Sequence, residues 1–351
     1  MKDTMVTRRK ALGGLGSLVA ASQLDADHPP KLIGEPSGRI APRVDLVSVL
    51  EFENMAERKL ASDVYTTIAG SDRSFFDRIT FRPRMMVPTT HLDLTVSLFG
   101  EKMFTPVIAG PIERLQNYHP DGEVGMVRAA SAAKAWMVVS GRSSLPVEQI
   151  AAESKTTLWY QVFPEEDLSA VRTKMDRAVK AGCKAICITV GAPLSKAMAR
   201  PALKWTLIDQ LRKGIGVPVV IKGIMTPEDA GAAVKRDIQG IVVSNYGRVS
   251  TPGMASSMEL LPSIVDAVGG KASILIDGSF RRGSDIFKAL AYGATAVLVG
   301  RPVAWGLAAY GPEGAQQVLE MLQTEVARDM AHCGRPTIKD IDRGVVKLHE
   351  A

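Results

Sequence analysis

A chain of 351 residues, 46% hydrophobic and 23% charged, is long enough for one large α/β domain with a full core and too apolar to be disordered. Its formal charge of +6 comes from scattered Lys and Arg with no aromatic-interleaved stripe, which argues against a nucleic-acid partner and leaves a mild preference for anionic small molecules. Three cysteines, Cys183, Cys187 and Cys333, make neither a disulfide framework nor a metal-ligand spacing.

At the start of the chain, Arg8-Arg9 precede a small apolar run from Ala11 to Ala21, the pattern of a twin-arginine export leader over residues 1–27 with the mature start between Ser22 and His28. The run is too short to span a bilayer, so no stable membrane span is expected. A working leader places the protein in the periplasm or outside the cell; without one it stays cytoplasmic. Residues 28–104 read as an N-terminal extension. It holds a connector with Pro29, Pro30, Pro36 and Pro42, then helical periodicity over Val44–Ala69, where Leu46, Val49, Leu50, Met55 and Leu60 share a face.

From residue 105 to 345 short Val- and Ile-rich runs alternate with amphipathic stretches. The predicted strands are Pro106–Ala109, Trp136–Ser140, Leu158–Phe163, Ala185–Val190, Pro218–Lys222, Gly240–Asn245, Ser273–Asp277 and Ala296–Gly300. Predicted helices follow at Gly122–Lys134, Val147–Glu153, Leu168–Ala181, Leu207–Lys213, Pro227–Lys235, Met258–Val268, Gly283–Tyr292 and Gly314–Ala331. Eight such alternations predict a closed (β/α)₈ TIM barrel, and no Gly-x-Gly-x-x-Gly turn follows the first strand to favour an open sheet.

Such barrels carry their chemistry at the carboxyl ends of the strands. There the seventh strand runs into Asp277-Gly278-Ser279-Phe280-Arg281-Arg282-Gly283 and the eighth into Gly300-Arg301-Pro302. Glycines admit an anion to backbone N–H groups and arginine pairs bidentately with phosphate, so these two tips predict a phosphate site. Lys222 ends the apolar fifth strand, where an ammonium needs an anionic or electron-rich partner such as a flavin edge.

The runs Val220-Ile221-Lys222-Gly223-Ile224-Met225-Thr226-Pro227, Gly240-Ile241-Val242-Val243-Ser244-Asn245, Asp277–Gly283 and Gly300-Arg301-Pro302, with Phe81-Arg82-Pro83-Arg84 and His119-Pro120-Asp121-Gly122-Glu123, resemble the FMN-dependent 2-hydroxy-acid oxidases and dehydrogenases, the glycolate and lactate oxidases among them. The resemblance implies an FMN cofactor contacted by Ser140, Gln161, Thr189, Lys222 and Ser244. It places Asp277 and Gly278 near the ribityl chain and the phosphate on Arg281, Gly300 and Arg301. It also implies a homo-oligomer, often a tetramer, and a small-molecule substrate.

The pattern breaks at the substrate. Where the family reads Ser-Asn-His-Gly and uses the histidine as base, this chain reads Ser244-Asn245-Tyr246-Gly247. A tyrosine titrates about three to four units above histidine and is a poor base at neutral pH, though it can donate a proton or hydrogen bond. The histidine's aspartate partner becomes Gly191, carboxylate-binding arginines fall at Met198 and Val249 with Arg248 adjacent, two tyrosines become Thr67 and Phe163, and the lid from Ala192 to Thr206 is short. Three readings stay open: an FMN oxidoreductase on a different substrate, with Tyr246, Lys222 and Arg248 as its catalytic groups; a hydroxy-acid enzyme with a modified site; and a non-catalytic flavin-binding or structural barrel.

Overall fold

The computed structural model describes residues 39–70, 72–165, 167–190, 204–246 and 254–350. The expected leader at 1–27 and positions Gly191, Met198, Arg248 and Val249 lie outside the described residues.

The extension before the barrel contains α1 (Val49–Lys59), α2 (Ser62–Tyr65) and α3 (Ser74–Asp77), then β1 (Ile79–Phe81), β2 (Val96–Leu98) and β3 (Glu101–Met103). The single helix expected over Val44–Ala69 is thus broken. Ser48 and Glu51 form a capping box that starts α1 only at Val49, and Leu60, with ψ of 151°, ends it. The barrel strands are β4 (Val107–Ala109), β5 (Trp136–Ser140), β6 (Leu158–Val162), β7 (Ala185–Thr189), β8 (Val219–Ile224), β9 (Gly240–Val243), β10 (Ser273–Asp277) and β11 (Ala296–Val299). All pair in parallel, and β10–β11–β4–β5–β6–β7–β8–β9 closes on itself.

Between them run α4 (Gly122–Ala132), α5 (Val147–Ala152), α6 (Leu168–Lys180), α7 (Trp205–Arg212), α8 (Pro227–Val234), α9 (Ser257–Val268) and α10 (Gly283–Ala291), and α11 (Arg301–His332) follows β11. The last helix begins at Arg301, thirteen residues before the expected Gly314, and bends at Tyr310 and Gly311, where Gly311 has φ 65° and Pro312 follows. Across this bend a Cβ on Gly306 would lie 2.5 Å from the Gly314 carbonyl oxygen, so the two halves meet backbone to backbone.

Side chains alternate along each strand. The outward set, such as Val139, Tyr160, Ile188, Ile221 and Ile276, packs under the helices. The inward set, Ile108, Trp136, Val138, Trp159, Cys187, Val220, Val242, Leu275 and Leu298, forms a buried cluster that fills the barrel interior. The β2–β3 hairpin closes its amino-terminal end, adding Val96, Leu98 and Met103 to that inner cluster, with Phe99 lying 5.5 Å from the Trp159 ring. No helix among the described residues is long and apolar enough to cross a membrane.

Candidate active site

Stepping two residues beyond the apolar inner layer on five strands reaches Ser140 above Val138, Gln161 above Trp159, Thr189 above Cys187, Lys222 above Val220 and Asp277 above Leu275. Ser244 stands in the same phase two residues after Val242. Strand parity therefore builds a polar floor on a hydrophobic plug. Its groups satisfy one another: Gln161 Nε2 donates to Thr189 Oγ1 at 2.7 Å, and Lys222 Nζ donates to Ser244 Oγ at 2.9 Å and pairs with Asp277 Oδ2 at 2.7 Å. Lys222 is only 2% exposed, so these contacts offset the cost of taking an ammonium out of water. An ammonium has three donors, and two are used.

Above the floor lies a cavity of about 460 Å³, within the size range of small-molecule sites. Of the sequence-predicted residues, Gln161, Lys222, Tyr246, Asp277, Gly278, Arg281, Gly300 and Arg301 line it. Thr189 and Ser244 are buried behind Gln161 and Lys222, and the Ser140 hydroxyl accepts from the Arg142 backbone N–H. Gly278 has φ 106°, and a Cβ there would come 2.8 Å from Ser257 Oγ, so the turn into the cavity admits only glycine without strain.

One end of the cavity is cationic. Arg281, 3% exposed, donates to the carbonyls of Phe280 (2.9 Å) and Gly70 (3.2 Å) and stacks 4.4 Å from the Trp305 ring. Arg301 donates to the carbonyls of Ala69 and Gly70. Neither makes an ion pair among the described residues, because nearby Asp285 is held by Arg73 at 2.8 Å and Glu53 accepts from the Gly70 N–H. Burial, with Arg301 beside it, pushes the Arg281 pKa down to about 9, and burial lowers Arg301 as well. Two desolvated guanidiniums with only carbonyl partners favour an anion, and the phosphate of FMN supplies one. The residues present therefore fit this cofactor: a phosphate-matching end, hydrogen-bonding groups along the floor and a spare ammonium donor.

The mouth holds residues that the sequence did not single out. Tyr246 Oη donates to Glu113 Oε1 at 2.8 Å, and Arg142 Nη1 donates to the same oxygen at 3.0 Å. Arg142 also lies 4.0 Å over the Phe163 ring, and Tyr118 Oη is 2.9 Å from Thr67 Oγ1. Burial raises the Tyr118 pKa. Glu113 and Arg142 follow the first and second strand tips, so position alone marked them, but nothing in the sequence joins them to Tyr246. Among the described residues no histidine lines the cavity and no side-chain group could hold a metal ion. His119 Nδ1 instead accepts from the Asp121 N–H at 3.2 Å, a local helix-start contact.

The chain matches the family described as FMN-dependent dehydrogenase over residues 62–200 and 191–348. It is 34% identical to an L-lactate oxidase of Nostoc sp., covering 86% of this chain and 98% of that protein. It is 31% identical to a glycolate oxidase of Spinacia oleracea, covering 86% and 95% respectively. Among solved structures, a mandelate oxidase superposes with a TM-score of 0.82 at 32% identity, over 87% of this chain and all of that one.

Proposed function

The chain belongs to the FMN-dependent dehydrogenase family and is an FMN-dependent oxidoreductase, and from that premise we propose that it oxidises a substrate other than the small 2-hydroxy acids. One observation carries the reading. At the sixth strand tip stands Tyr246, tied to a carboxylate, and among the described residues no imidazole lines the cavity to take a hydroxyl proton.

In this reading Arg281, Gly300 and Arg301 hold the FMN phosphate, Asp277 and Gly278 border the ribityl chain, and Ser140, Gln161, Thr189 and Ser244 support the ring system directly or through their neighbours. Lys222 would present its remaining donor to the bound flavin, where positive charge would stabilise the reduced state. Bound FMN supplies two-electron hydride acceptance; the protein's own groups orient the substrate, exclude water and manage its proton. Tyr246 acts as an orienter at the mouth through its hydrogen bond to Glu113, and Arg248 supplies an anion contact. The first 27 residues serve as an export leader, which amino-terminal sequencing of the secreted protein tests, and the assembly is a homo-oligomer, which light scattering tests.

The test is anaerobic mixing of FMN-loaded protein with L-lactate, glycolate, (S)-mandelate, a primary alcohol and a primary amine, following loss of flavin absorbance. Fast bleaching by the hydroxy acids and none by the others would overturn the proposal. It would favour a second reading, supported by the similarity to the Nostoc L-lactate oxidase, in which the family reaction runs on a modified site.

A further inference from the structure

Two donors at the mouth, Tyr246 and Arg142, converge on one oxygen of Glu113. Tyr246 and Arg142 occupy Oε1 at 2.8 and 3.0 Å, which leaves Oε2 without a hydrogen-bond donor among the described residues. The Glu113 side chain is 32% exposed and lines the same cavity as Lys222 and Tyr246. The other cavity carboxylate, Asp277, is committed to Lys222 at 2.7 Å. A carboxylate fixed by two donors on one oxygen and without one on the other keeps an acceptor lone pair available at the wall of the cavity.

We propose that Glu113 is the proton acceptor of this enzyme, with Oε2 meeting the hydrogen-bearing heteroatom of an amine or alcohol substrate. The inference rests on the reading above and deepens it. In the step, the substrate C–H bond breaks and its electron pair leaves as hydride to bound FMN, which is reduced by two electrons. The N–H or O–H bond breaks with its proton passing to Oε2, and the electron pair left on the heteroatom closes a C=N or C=O bond. Atoms and electrons balance without a further reagent. Tyr246 and Arg142 are positioning residues, since they act by holding Oε1. The arrangement also sets a preference: an ammonium or hydroxyl group can donate to Oε2, whereas a carboxylate placed there meets like charge.

The test uses FMN-loaded full-length protein with benzylamine, benzyl alcohol and benzoate as probes, read by calorimetry and by shifts of the flavin absorption bands. The wild type is expected to bind benzylamine more tightly than benzoate. Glu113→Gln, which keeps the side-chain shape, is expected to weaken benzylamine by about tenfold or more and to strengthen benzoate. For any probe that bleaches the flavin, Glu113→Gln slows bleaching by about a hundredfold, while Glu113→Asp restores part of the rate. Benzoate binding as tightly as benzylamine, failure of all three probes to bind, or a Glu113→Gln protein with unchanged probe affinities overturns the assignment. Fast bleaching by L-lactate overturns the substrate reading instead, and Glu113→Gln then decides the proton acceptor separately.

Discussion

Tyr246 and Glu113 stand 133 positions apart in the chain and meet at 2.8 Å, the phenol donating to the carboxylate across the mouth of the barrel. The contact takes up the only hydroxyl hydrogen of Tyr246, so the phenol stands as a donor bound to Glu113.

Replacing Tyr246 by histidine puts a near-neutral base beside the cavity. Bleaching of FMN by L-lactate under nitrogen is expected to rise by about tenfold over wild type, less than the roughly hundredfold or more of a well-positioned base, because the introduced imidazole lacks an orienting partner. Rapid-mixing absorbance checks this, and an unchanged rate would show that the tyrosine is not what limits hydroxy-acid turnover.

Removing either cavity arginine should weaken flavin retention. If each holds the FMN phosphate as proposed, Arg281→Met or Arg301→Met deletes one charge-assisted contact, with FMN affinity falling by about ten- to a hundredfold and riboflavin affinity changing little. Fluorescence titration with both flavins separates the phosphate contribution from that of the ring.

Lys222→Met strands Asp277 beside the floor without its cation, a loss on the order of 3 kcal/mol when one partner of a largely buried pair is removed. The Lys222→Met/Asp277→Asn double variant should recover most of that stability while keeping a lowered flavin midpoint potential. Thermal melting and a redox titration measure the two effects independently.

Far from the cavity, Asp329 on α11 has an Oδ2 with no hydrogen-bond partner, and burial raises its pKa to about 6 against the influence of Arg328, His332 and Lys288, with Glu325 adding to the rise. An acid whose folded pKa exceeds its unfolded value near 4 binds more protons when folded, so stability falls as pH climbs from about 4 to 6 and stays lower above that. Asp329→Asn should therefore raise the melting temperature at pH 8 by about 2–4 °C and leave it nearly unchanged at pH 4. A gain of the same size at both pH values would show that charge is not the cause.

The barrel and its polar floor were legible because strand alternation is a local property: the phase that puts Val220 inside also puts Lys222 there, and both are readable in the sequence. The cationic end was legible for a related reason, since Arg281 and Arg301 come from adjacent strand tips with glycines beside them. The Glu113–Arg142–Tyr246 contact was not, because three different loops supply it and only closure of β4 against β11 and β5 brings the first two together. Helix boundaries failed for other reasons. The apolar face through Leu60 continues past α1 although a cap and an extended residue break the helix, and the bend at Gly311 hides that residues 301–309 are already helical. The β2–β3 hairpin went unread because its strands are only three residues each, too short to show a period.

That hairpin has a consequence for traffic. With Phe99, Leu98 and Met103 stoppering one end and the tryptophans packed above them, the described residues leave the cavity facing the opposite end, where Tyr246 and Glu113 stand. Cofactor and substrate would then enter by the same end of the barrel, so a bound substrate would also hinder loss of the flavin beneath it.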